Sequence, residues 1–216
     1  MDHGNRGLAG PETRTGSGPM RISRRDLRSE TLRRSARAFR DTGREAGEVA
    51  AALTEGQLWW RPEPDRWSIG ECLDHLVLTG EAYLEALDHA IADGRSRGLV
   101  SDEPHRAGAV GRWLAALLEP PPRFGVPAPG RIRPRRPGPG HPDGSPLPRF
   151  QAPRGRLGER LEAAEGLDLR RIRVTSPFFR WLRFDLGSAF RIVAAHERRH
   201  LWQARRVREH ERFPEA

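Results

Sequence analysis

The chain contains no lysine: all 38 of its Lys and Arg positions are arginine. Cysteine is almost absent as well, with Cys72 alone. A single thiol excludes an internal disulfide, which agrees with a reducing compartment and a cytoplasmic location. No stretch reaches the roughly 20 apolar residues that a membrane-spanning helix needs. Residues 1–19 lack the apolar core of a secretory leader. The missing lysine also bears on the formal charge of +9. A basic surface binds phosphate by releasing condensed counterions, and lysine serves that purpose well as a point charge. Complete exclusion of lysine, with abundant Ala, Gly and Pro, points to compositional bias instead. The expected partners therefore include neither a membrane nor a sequence-specific nucleic acid.

Proline is scarce where the sequence reads as helix and crowded between residues 120 and 150. This implies a polar N-terminal tail over 1–22 and one domain over 23–212, with a partly irregular excursion over 96–150. Within the domain, Leu32, Ala36, Phe39, Ala46, Val49 and Leu53 recur at mostly three- and four-residue spacings, predicting a helix over 26–53. Residues 58–67 hold three tryptophans and two prolines and read as a rigid link. Ser68 and Glu71 then form a capping box, with Trp67 and Cys72 in the staple positions. The helix it opens carries Ile69, Cys72, Leu76, Thr79, Tyr83, Leu87 and Ala90, and is expected to stop near Gly94. The box commits the Glu71 carboxylate to the backbone, so Glu71 is a poor metal ligand.

A short amphipathic helix is expected over 107–118, then an extended path over 120–148 with too much Pro and Gly for helix or central strand. A third main helix follows over 153–165, stopped by Gly166. The link over 167–183 is apolar enough to pack. Asp185 caps a last helix running to about residue 210. The fold class is all-α: a four-helix bundle with a Pro/Gly-rich excursion between its second and third main helices.

The last helix carries the chemistry. Leu186, Ala189, Val193, His196, His200, Gln203 and Val207 are spaced alternately three and four apart, an uninterrupted inward seam. Two histidines and a glutamine occupy positions where apolar side chains would pack best, and buried ring nitrogens need partners. Histidines at i and i+4 share a face and can chelate one ion. A third donor has to come from another element. His75 lies one turn into the capped helix, beside its apolar stripe. Three imidazoles leave a coordination position open, as catalytic rather than structural sites do. His3, His89, His105, His141 and His210 receive no role. Cys72 reads as a buried structural residue. His196-Glu197-Arg198-Arg199-His200 also satisfies the H-E-x-x-H pattern, in which Glu is the general base of a zinc protease. The extended form of that pattern wants Gly at 203 and His at 206, where this chain has Gln and Arg, so a peptidase is not expected. Glu197 either lies near the metal edge or pairs with an arginine on the neighbouring turn.

Three blocks resemble a known family. They are Leu53-Thr54 leading into Trp60-Arg61-Pro62, then Trp67 through Leu76, and finally Ala195 through Gln203. Together they resemble the DinB-like superfamily, which includes bacillithiol transferases and mycothiol-dependent maleylpyruvate isomerases. The resemblance implies an up-down-down-up bundle and a nickel or zinc ion held by His75, His196 and His200. It also implies a transferase that activates a low-molecular-weight thiol for attack on a small electrophile. Gln203 would orient a ligand or metal-bound water; Glu197 is a further candidate catalytic residue. Trp59, Trp60 or Trp202 would wall the site. Two alternatives stay open: a metal-dependent small-molecule hydrolase, and a non-catalytic stress-related bundle with a vestigial metal. The expected partner is a small-molecule substrate, with a homodimer left open.

Overall fold

The apolar stripe of the first helix becomes α1 (Glu30–Ala50), whose Leu32, Ala36, Phe39, Ala46 and Val49 are all buried. The structure, a computed structural model, describes residues 27–121, 130–134 and 145–215. The expected tail over 1–22 and much of the 120–148 path lie outside the described residues. α1 stops short of Leu53 because Ala52 turns into the left-handed region, at φ 55°. The link that follows is not wholly irregular. A Thr54–Gln57 capping box starts a five-residue helix, α2 (Glu55–Trp59).

α3 (Ile69–Ser96) starts at Ser68, as the capping box requires, and runs one residue pair past Gly94. Gly94 lies under Ile172, whose Cδ1 would stand 2.3 Å from a Cβ there, so this glycine permits close packing rather than ending the helix. α4 (Ala109–Leu118) is the expected amphipathic helix. A 3-10 turn at Gly130–Ile132 and the short α5 (Leu147–Gln151) interrupt the expected extended path. α6 (Arg154–Ala163) is the short third main helix. The link after it holds an antiparallel hairpin, β1 (Arg173–Thr175) with β2 (Arg183–Asp185), which an all-α expectation omits. Val174 and Phe184 face each other in it and are both buried. Three-residue strands leave too short an alternation to read from periodicity. α7 (Leu186–Arg208) closes the chain's helical part.

The protein is mostly α-helical, and long-range packing joins α1, α3, α4 and α7. α7 is central to it, lying against the other three. α4, expected to be subsidiary, covers one flank of α7. Near its start, Gly111 approaches Ser188 so closely that a Cβ would meet Oγ at 2.1 Å. At its end, Arg198 pairs with Glu119 and Arg199 donates to the Leu117 carbonyl. Two apolar clusters result. One gathers Phe39, Leu87, Phe184 and Phe190; the other gathers Cys72, Leu73, Leu76, Phe150 and Leu201. The histidines sit at the edge of the second. No described helix is long and apolar enough to cross a membrane.

Candidate metal centre

The start of α3 fixes the first histidine. Ser68 Oγ accepts the Glu71 N–H at 3.1 Å, and Glu71 Oε2 accepts the Ser68 N–H at 2.9 Å. Arg61 also donates to both Glu71 oxygens, so this carboxylate is spent, as the capping box implied. One turn later His75 is buried beside Leu76 and Cys72. Asp74 turns away from it and accepts from Arg149 at 3.0 Å. α7 supplies the other two rings, His196 half-buried and His200 buried.

The three side chains converge. One ligand atom from each lies within 4.8 Å of the others, and the ring centroids are 4.5–5.0 Å apart. His75 Nε2 and His196 Nε2 stand 3.2 Å apart. Two nitrogens bound at roughly 2.0–2.1 Å to one tetrahedral zinc stand about 3.3 Å from each other. The outer nitrogens favour the same use. His75 Nδ1 donates to the Ile132 carbonyl at 2.6 Å, and His200 Nδ1 donates to Gln203 Oε1 at 3.2 Å. Each bond fixes a tautomer with its lone pair on Nε2, as partners of metal-bound imidazoles do. The donor set therefore fits one divalent ion with a position left over.

Protonation would oppose binding, and the surroundings suppress it. Burial lowers the pKa of all three imidazoles. Mutual repulsion and Arg199 lower His196 and His200 further, His196 to about 3. His75 is partly compensated by the Ile132 carbonyl and Asp74. Neutral rings at neutral pH are what ligation requires. Cys72 is fully buried, and burial, with Glu71 nearby, pushes its thiol pKa up, against a nucleophilic role.

A family model for the DinB superfamily matches residues 38–204, which is most of the chain. The chain belongs to the DinB superfamily. No curated protein and no solved structure matches it. In this DinB-superfamily domain the three histidines that the sequence nominated are brought together. The remaining nominees have other contacts. Gln203 touches His200, as described. Glu197 accepts from Thr42 at 2.5 Å and from Arg154 at 3.3 Å, so it pairs with an arginine of α6 rather than with one on the neighbouring turn of its own helix. Arg154 also donates to the Phe39 carbonyl, and Gly43 leaves it room.

The aromatic wall differs from expectation. Trp67 stacks on His200 at 5.4 Å and tilts against His75 at 4.9 Å. Trp60 instead packs on His210 and Phe213, and Trp59 lies over Gly70. The staple position of Trp67 was legible, but a staple residue is ordinarily assigned to its own helix. Its reach to α7 requires knowing that α3 and α7 are neighbours. Ile132 was missed too, because a backbone carbonyl carries no residue-type signal.

Proposed function

We propose that this DinB-superfamily protein is a metal-dependent transferase that joins a low-molecular-weight thiol to a small electrophile. The observation that carries the metal half is the holding of the rings: Ile132 and Gln203 engage Nδ1 of His75 and His200, which leaves Nε2 of each for an ion within a cluster whose ligand atoms lie within 4.8 Å of one another. A nickel or zinc ion held there supplies Lewis acidity and lowers the pKa of a coordinated thiol. The thiol half rests on the resemblance to thiol-using members of the superfamily. The chain's own residues orient and shield. Trp67 covers two of the three rings and restricts water on that side. Gln203 fixes His200 through its carbonyl oxygen, leaving its amide group able to donate to a bound ligand. With Glu197 committed to Arg154 and Thr42, no base beside the rings is assigned, and the entering thiol loses its proton to solvent.

The test is elemental analysis of protein purified without an affinity tag, followed by turnover of 1-chloro-2,4-dinitrobenzene with cysteine or other small thiols. Metal at one equivalent and thiol-dependent turnover that a chelator removes are expected. Turnover that consumes water and ignores thiol would replace this reading with a hydrolase.

A further inference from the structure

A separate constellation lies near the other end of α7. A cavity of about 610 Å³ is lined by the first turn of α1, the loop at 101–105 and the turn at 164–169. Its volume is in the ~300–1,000 Å³ range of small-molecule sites. Thr31 and His105 both line it. Roughly 14 Å of helix axis separates Gly187, beside His105, from His196, so the cavity is not the metal centre.

His105 is held on two sides. Its Nε2–H donates to Asp185 Oδ1 at 2.6 Å. Its ring lies over Gly187, where a Cβ would come within 2.4 Å of Cε1. With the proton on Nε2, Nδ1 carries the lone pair and accepts from the Thr31 hydroxyl at 3.3 Å. Burial would raise the Asp185 carboxyl, but hydrogen bonds from His105, Gly108 and Ser188 hold it down at about 2. It stays ionised and fixes the ring. The order is hydroxyl, base, orienting carboxylate, the arrangement that activates a hydroxyl nucleophile. Fastening the loop at 101–108 to α7 needs the Asp185 bonds alone. A second ring nitrogen aimed at a hydroxyl on a cavity wall is additional to that task. Ser29 makes no side-chain cap on α1, and first-turn N–H groups have no partner within the helix. The Glu165 carboxylate accepts the Ser29 N–H at 3.3 Å, which leaves the remaining first-turn N–H groups beside Thr31 for an oxyanion.

We propose that Thr31 and His105, positioned by Asp185, form a metal-independent site that hydrolyses small carboxylic esters through an acyl-threonine. Thr31 Oγ1 bonds to the ester carbonyl carbon while its proton passes to His105 Nδ1. The ester C–O bond breaks and the alcohol leaves with that proton. Water then gives its proton to the same nitrogen, its oxygen bonds to the carbonyl carbon, and the acid is released as Thr31 recovers its hydrogen.

The probe is p-nitrophenyl acetate on the full chain, with and without EDTA. Expected are nitrophenol release that EDTA leaves unchanged and an acetyl group found on Thr31 by peptide mass spectrometry. Thr31→Val should lower release at least tenfold without moving the melting temperature. His105→Gln should lower it similarly, and if that variant fails to fold, Thr31→Val decides. Asp185→Asn should lower kcat with KM unchanged, which loss of a loop fastening alone would not give. Acetyl absent from Thr31, parental release by Thr31→Val, or loss of release with EDTA would each overturn the proposal.

Discussion

His75 and His200 each have one ring nitrogen held by an oxygen, the Ile132 carbonyl and Gln203 Oε1. Such holding sets ring orientation before any ion arrives, and losing it typically costs about 10–100-fold in metal affinity. Gln203→Ala should therefore weaken binding by about that factor, while His75→Ala, His196→Ala and His200→Ala should each weaken it more and keep the helical content. Metal titration followed by circular dichroism checks both halves; unchanged stoichiometry in all three histidine variants would sink the triad. The pKa shifts give a second expectation. Unfolded histidines take up protons near pH 6.5, but in the folded protein the three rings are depressed, His196 to about 3. Between those values the unfolded state binds more protons, so stability of the metal-free protein falls as pH drops below about 6.5. Urea denaturation of chelated protein at pH 7 and pH 5 measures it. The histidine pair was legible because both rings fall on an apolar seam. His105 was not, because its partners Thr31 and Asp185 lie 74 and 80 residues away. Arg154, which Glu197 meets, was equally hidden on another helix.

At the scale of elements, the two helices that carry the histidines both start at a side-chain cap. Ser68 is buried, and its hydroxyl accepts the N–H that opens α3 one turn before His75. Ser68→Ala should cost about 1 kcal/mol of stability and lower metal affinity modestly. Calorimetry and metal titration on one preparation check the link, and equal affinity with reduced stability would break it. Asp185 opens α7 and also holds Gly108 and His105. Its native pKa of about 2 is below the unfolded value near 3.8. The stability this contributes is present above about pH 4 and is lost as pH falls through 2. Asp185→Asn should flatten that part of the acid denaturation curve. Both caps were legible, since a cap and its partner are three residues apart. The five-residue α2 and the three-residue strands were not, because they are shorter than the stretch over which a period is read, roughly 11–18 residues for a helix and 4–8 for a strand.

For the whole molecule, His75 of α3 meets His196 and His200 of α7 across the seam around which α1 and α4 also pack, so an ion held by the three would join the two helices. Ligand that binds the folded state at 100 times its Kd stabilises by about 2.7 kcal/mol. Nickel or zinc should therefore raise the urea midpoint of the parent and leave that of His75→Ala nearly unmoved. The arginine excess is expected to give no sequence-selective, salt-resistant DNA complex in a binding assay, because the absence of lysine attributes that excess to composition. The bundle character was legible from periodicity, whereas the prominence of α4 was not, since amphipathicity shows that a helix has a buried face without naming its neighbour. The distance along the chain between the ligands has a consequence for biosynthesis. His75 and His196 are 121 residues apart. At roughly 5–20 residues per second, a ribosome adds the second some 6–24 s after the first. Throughout that interval the nascent chain offers a single histidine of the three, so an ion that needs all three could bind only after α7 has been translated and has docked.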